Sequence, residues 1–364
     1  MPIIPTTTRL APDQQQLRAL LRRLAGVDSA VAPVLSVYLD LRPEAQGDRP
    51  GERNQLTVLR HRLRDVADTY EAHSQARRSV DTDVERIGAY LDGQLAKVEG
   101  VALFACDHIG LWEDVTTLVP FETKVTAGPV ADLFQLANLL EMSESVVVAM
   151  VDTNTCRLFV TRRGALEELP GPDEPTTDHR RHDQGGWSQA RYQRHIDWHD
   201  RRFVAEAAET LQALVERARA RHVILAGEER AMTILQEVLP ASIATLVEQV
   251  ERIEMRASAR EVSDEVAPLL AAIRTAEEQD AADRVIAGLR SGGMAVAGID
   301  DVADALERGQ VHELVLDEEA QTDLDLRTEL VRQAAATDAQ IVTVSGHTGL
   351  RARDGVGATL RWQT

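Results

Sequence analysis

The stretch Gly185-Gly186-Trp187-Ser188-Gln189-Ala190-Arg191-Tyr192-Gln193-Arg194-His195 decides how the middle of this 364-residue chain is read. Paired glycines give backbone that reaches positive φ and approaches another molecule closely. Beyond them almost nothing breaks a helix as far as Arg221, so the stretch reads as a flexible tip on the start of a long helix. A mobile glutamine at the end of a rigid arm is suited to work inside another molecule's active site. Working outward, 146–152 and 156–160 are apolar runs around the polar turn Thr153-Asn154-Thr155, which predicts a hairpin. Residues 167–184 are rich in Pro, Asp, Glu, Thr and His and predict a mobile loop. The helix beyond the glycines carries Phe203, Ala207, Leu211 and Leu214 on one face. A buried parallel strand at 222–227 and a helix at 229–238 follow. Strand, long helix, strand, helix is α/β with a crossover connection.

The same stretch carries a resemblance. Gly185, Gly186, Ser188, Arg191, Tyr192 and Arg194 fall on the Gly-Gly-Gln-Ser-x-x-Arg-Phe-x-Arg signature of the archaeal and eukaryotic class 1 peptide-release factors, with Tyr for Phe. Trp187 stands at the family's catalytic glutamine, and a glutamine follows two residues later at Gln189. This Gly-Gly-Trp-Ser-Gln form is similar to the bacterial archaeo-eukaryotic release factor family, in its tenth subfamily. The resemblance implies a middle domain over 144–262 similar to ribonuclease H without its metal-binding acids. It implies Gln189, Gly185 and Gly186 as the hydrolytic set, and Trp187, Ser188, Arg191, Tyr192, Arg194 and His195 as contacts to ribosomal or transfer RNA. A backbone N–H beside glycines and an amide side chain suit the ordering of water and the stabilising of an oxyanion. Gln189 is equally readable as a polar helix-start residue. Trp187 either stacks on a base or packs back on the helix as a staple.

On the N-terminal side, 13–25 reads as an amphipathic helix, with Leu17, Leu20, Leu21 and Leu24 on one face. A strand is expected at 33–40, a long Arg-rich helical region at about 52–75, another helix at about 79–96, a buried strand at 101–106 and its hairpin partner at 111–118. This is a mixed α/β domain over 1–143. Asp40 and Asp107 stand at strand ends, where we read them as turn and cap residues because no Gly-rich phosphate loop is near. On the C-terminal side, 263–364 predicts a long helix at 263–290 and a turn at 291–298. A helix at 300–308, a strand at 311–317, a helix at 325–337, a strand at 340–344 and a Gly-hinged closing strand complete it. That order resembles the α/β/α C-terminal domain of release factors and Pelota, related to kink-turn-binding ribosomal proteins. The expected fold class is therefore α/β in three domains.

Hydrophobic content of 44% and charged content of 27% describe a globular chain. Two cysteines form no disulfide framework and are in keeping with a reducing cytoplasm. No signal segment or membrane-length apolar run occurs, so no membrane partner is expected. A net charge of −19 argues against general nucleic-acid binding. Arg180, Arg181, Arg191, Arg194, Arg201 and Arg202 nevertheless gather in one island with His179, His182, His195 and His199. Such an island touches RNA phosphate locally, or is a solvated face paired with Asp183, Asp197 and Asp200. His195 and His199 lie i, i+4, but the Glu of a zinc-protease helix is missing, and no metal or cofactor is expected.

Three functions follow. The first is codon-independent peptidyl-tRNA hydrolysis in rescue of stalled ribosomes, since the release factors' Asn-Ile-Lys-Ser element is lacking. The second is a non-hydrolytic hibernation or stress factor in the ribosomal A site. The third is an α/β protein whose arginine island is ordinary surface. The resemblance also implies a translational GTPase such as elongation factor Tu as partner of 263–364.

Overall fold

The structure, a computed structural model, describes residues 14–42, 54–93, 98–142, 145–162, 165–170, 189–251, 253–320 and 323–362. Its backbone contacts group Met1–Ser143 with Arg274–Thr364 in one compact unit and Glu144–Ile273 in another. The whole is α/β, with three separate sheets.

The N-terminal segment opens with α1 (Gln14–Ala25), which buries Leu17, Leu20, Leu21 and Leu24 as its spacing predicts. Strand β1 (Val34–Asp40) is buried on both faces. Helices α2 (Asn54–Asp68) and α3 (Gln75–Asp92) follow, then β2 (Gly100–Cys106), β3 (Leu111–Thr117), β4 (Lys124–Gly128) and α4 (Phe134–Met142). The sheet order is β3-β2-β1-β4, antiparallel throughout. Leu59, Leu63, Val80 and Ile87 of α2 and α3 cover one face, while α1 and α4 cover the other. The break between α2 and α3 comes earlier than the sequence pattern predicts. Ser74 Oγ accepts the Arg77 N–H at 3.0 Å and starts α3 at Gln75, a side-chain cap that outweighs the helical periodicity around it. Strand β4 and helix α4 were not foreseen.

The middle unit carries β5 (Val146–Val151), β6 (Cys156–Arg162), β7 (Ala165–Leu169), α5 (Gln189–Ala218), β8 (His222–Gly227), α6 (Glu229–Val238), α7 (Ala241–Ala244) and β9 (Val247–Glu251). Its sheet order is β7-β6-β5-β8-β9. Strands β5, β8 and β9 run parallel and β6 runs against β5. Counted along the chain this is 3-2-1-4-5 with the second strand reversed, the ribonuclease-H-like arrangement that the resemblance implied. Strand β7 occupies the start of what the composition predicts as loop. Residues 171–184 of that loop lie outside the described residues.

Helix α8 (Ala259–Ser291) runs unbroken across the expected domain boundary at 262/263. Its first half packs Val262 and Val266 into the middle unit, and Ala281, Ala282, Val285 and Ile286 pack on the C-terminal sheet. That sheet comprises β10 (Ala295–Ala297), β11 (Val311–Asp317), β12 (Gln340–Val344) and β13 (Val356–Leu360), in the order β10-β13-β11-β12. Helices α9 (Ile299–Glu307), α10 (Leu324–Ala336) and α11 (Thr348–Arg351) complete it. Strand β10 lies within the expected turn 291–298. Within this unit the N- and C-terminal segments share one core, where Leu17, Leu21 and Leu24 join Leu330, Val331 and Ala334. Arg327 stacks on Phe134 at 4.0 Å, and Arg332 donates to the Ala25 carbonyl at 3.2 Å.

Candidate functional site

The middle unit builds a platform for α5. Phe203, Val204, Ala207, Ala208, Leu211, Leu214 and Val215 are buried together with Val147, Ala149 and Val151 of β5 and Val223 and Leu225 of β8. Gly227 closes this platform. It has φ +117, and a Cβ there would sit 2.1 Å from the Val151 carbonyl oxygen. Only glycine lets the end of β8 approach β5 this closely. The following Glu228 N–H donates to that same carbonyl at 2.9 Å.

Gln189 is the first residue of α5, a helix of 30 residues. Arg191, Tyr192, Arg194 and His195 follow on the same backbone within its first two turns. Arg191 and Arg194 stand three positions apart, and Arg191 and His195 four, so each pair shares a side of the helix. Gly185, Gly186, Trp187 and Ser188 lie outside the described residues, as do His179 and His182. Further along α5, Arg201 and Arg202 are exposed.

The opposite edge of the sheet feeds the same loop. Arg157 on β6 grips Glu168 on β7 bidentately, at 2.6 and 2.8 Å. Its Nη1 also donates to the Met255 and Ala257 carbonyls at 2.9 and 2.6 Å. Arg157 holds the Glu168 carboxyl below the usual range, against a smaller upward push from burial. This residue was not singled out in the sequence, because its partners lie far along the chain.

Other acids in the sheets are spent on structure. Asp152, at the end of β5, accepts the N–H groups of Asn154 and Thr155 at 2.7 and 2.6 Å and closes the hairpin. Burial pushes the Asp40 carboxyl up, but hydrogen bonds and charge from Arg42 outweigh it and leave it lowered. The Asp107 N–H donates to Asp83 at 3.0 Å in a turn at the end of β2. Burial, with a further push from Asp152, raises the Cys156 thiol to about 12, so it stays protonated and is no nucleophile. Among the described residues no group of three or more potential metal ligands comes together, and no helix is long and apolar enough to cross a membrane.

The geometry thus defines a class: an α/β protein whose five-stranded middle sheet anchors a long helix that begins at Gln189. Residues 132–271 match the family described as bacterial archaeo-eukaryotic release factor family 10, so the resemblance read from the loop holds over this segment. Comparison with curated proteins found no match. Among solved structures, the archaeal translation termination factor aRF1 is similar at 20% identity, over 98% of this chain and 100% of that one, with a TM-score of 0.29. Archaeal Pelota, described ribosome-bound with ABCE1, is similar at 15% identity over 97% and 95%, with a TM-score of 0.43. Dom34 of S. cerevisiae is similar at 10% identity over 72% and 80%, with a TM-score of 0.42. At such identities and TM-scores these likenesses carry no argument about the chemistry.

Proposed function

We propose that this chain is a release-factor-like ribosome-binding protein that hydrolyses peptidyl-tRNA on stalled ribosomes without reading a codon. The observation that carries the reading is the match of 132–271 to the release-factor family, in the segment where Gln189 begins a helix anchored on the sheet. In this mechanism water attacks the ester carbonyl that joins peptide to tRNA. The Gln189 amide orders that water, and backbone N–H groups near Gly185 and Gly186 stabilise the oxyanion. Collapse of the intermediate expels the ribose oxygen, which takes up a proton, and frees the peptide as its acid. Arg191 and Arg194 hold RNA phosphates through planar, charge-assisted hydrogen bonds, with Ser188, Tyr192 and His195 beside them. Trp187 stacks on a base. The partners are the ribosome with its peptidyl-tRNA and, on the C-terminal segment, a translational GTPase such as elongation factor Tu.

Trp187 at the family's glutamine position favours a second reading, a hibernation factor that occupies the A site without hydrolysis. Peptide release from ribosomes carrying labelled peptidyl-tRNA and an empty A site separates the two, with co-sedimentation followed in the same samples. Release by the wild type that falls on the order of a hundredfold in Gln189→Ala, with co-sedimentation kept, is the expected result. Co-sedimentation without release establishes the second reading. Neither binding nor release removes both.

A further inference from the structure

A cavity of about 180 Å³ lies at the carboxyl end of β11 and β12, the parallel pair of the C-terminal sheet. Asn138 and Glu141 of α4 line it, with Arg274 and Glu278 of α8, Thr343 of β12 and Glu318 just beyond β11. All of them belong to one compact unit. Ligands of α/β folds commonly sit at the carboxyl ends of parallel strands. This volume takes several water molecules or a ligand of a few heavy atoms.

The uncharged polar groups at the cavity are short of donors. Asn138 Oδ1 is buried and has no hydrogen-bond partner among the described residues. Thr343 is only 8% exposed, and its hydroxyl has no partner among the described residues either. Alternation along β12 puts Thr343 on the side of Ile341, which packs with α4, and away from Val342 and Val344, which pack with α8. A buried polar group is nearly always hydrogen-bonded, so two open acceptors at one cavity point to a ligand that donates.

The charges agree. Three of the lining groups are carboxylates and one is a guanidinium. Arg274 Nε stands 3.7 Å from Glu278, beyond hydrogen-bond reach. The Glu318 carboxylate has no cationic partner among the described residues. Burial raises the Glu278 carboxyl, Arg274 lowers it, and Glu318 and Glu277 raise it again, which leaves it above its ordinary value. Arg351 and His347, at the same end of the sheet, are held by Asp317, Glu319 and Asp283. A cation beside such carboxylates favours their charged form. Among the described residues no three acids converge as ligands of one metal ion, so a cation that serves all of them has to be elongated.

We propose that this cavity binds a small aliphatic di- or polyamine, with one ammonium donating to Asn138 Oδ1 and Thr343 Oγ1 and another lying against Glu278 and Glu318. An ammonium offers three donors and no acceptor, the complement of this lining. The site stands whether or not the Gly-Gly loop releases peptides.

The test is calorimetric titration of the full chain with spermidine, putrescine, n-butylamine and Mg²⁺. A chain of −19 also gathers polyamines loosely over its surface. The exposed Asp300, on α9 and outside the cavity, therefore serves as control in Asp300→Asn. Spermidine is expected to fill one site per chain, and n-butylamine, with its single ammonium, to bind on the order of tenfold more weakly. Glu278→Gln should weaken spermidine on the order of tenfold and Thr343→Val a few-fold, while Asp300→Asn leaves it unchanged. Urea midpoints check that each variant is folded. Absence of binding at millimolar spermidine overturns the proposal. Many equivalent sites, or equal losses in Asp300→Asn and Glu278→Gln, overturn it in favour of diffuse screening. Mg²⁺ as tight as spermidine overturns it in favour of a compact ion, and n-butylamine as tight as spermidine in favour of a partner's lysine side chain.

Discussion

The two halves of α5 are made of different material. From Phe203 to Val215 the helix gives up an apolar face to β5, β8 and α6. From Gln189 to Asp200 it carries Arg191, Tyr192, Arg194, His195 and His199, with Ile196 and Trp198 as its large apolar residues. An isolated helix of one or two turns does not hold in water, because nucleation costs more than its few hydrogen bonds return. Extending a helix that the sheet already holds adds one bond per residue and costs little. The anchored half therefore carries the leading half, where the proposed site residues stand.

The largest effect expected from this division is on the anchored half. Leu211 is 1% exposed, and Leu211→Ala should cost about 2–5 kcal/mol of stability from lost burial and the cavity left behind. Urea unfolding measures it, and ribosome binding should be lost along with the platform. A change below about 1 kcal/mol would show that the sheet does not hold α5. In the leading half, Arg191→Gln and Arg194→Gln should each leave the unfolding midpoint where it is. Each should weaken ribosome co-sedimentation on the order of tenfold and make it less sensitive to salt. If either destabilises the protein instead, the leading half is an anchor as well and the division fails.

Legibility in the sequence follows the same line. Phe203, Ala207, Leu211 and Leu214 could be read because a buried helix face repeats locally. The β5–β6 hairpin could be read because Asp152 and the residues around it form their turn within a few positions. Strand β7 could not. Its sequence Ala165-Leu166-Glu167-Glu168-Leu169 is acidic, and it becomes a strand by pairing with β6 and through Arg157, which also reaches Met255 and Ala257 about a hundred residues on. The break between α2 and α3 was expected, but several residues too late, because one serine hydroxyl decides where α3 begins. At the site, the glycines and arginines were legible as a motif. The helix-start reading of Gln189 matches its place as the first residue of α5, but the motif gave no sign that Arg157 ties β7 to the chain before α8.

The smallest of the expected effects contrasts the apolar anchoring of α5 with a polar one. Helix α3 holds the turn after β2 through Asp83, whose Oδ2 accepts the Asp107 N–H at 3.0 Å, and Ser79, whose Oγ accepts the His108 N–H at 3.0 Å. Asp83 is fully buried, and its Oδ1 has no hydrogen-bond partner among the described residues. Burial pushes its carboxyl up to about 6, with the Asp107 charge adding to the shift and the Asp107 N–H, Arg86 and Ser79 opposing it. A folded-state value above the unfolded one, about 3.9, means that the native protein binds the proton more tightly. The stabilisation is complete below the unfolded value and is lost as pH rises through about 6. Between pH 5 and pH 7.5 this single group should cost about 1 kcal/mol. Asp83→Asn keeps an acceptor for the Asp107 N–H and removes the charge, so it should flatten that part of the pH–stability curve and be no less stable than wild type at pH 7.5. Equal slopes for the two proteins in urea titrations would show that Asp83 stays ionised, and that a polar anchor can carry a buried charge where α5 uses leucine.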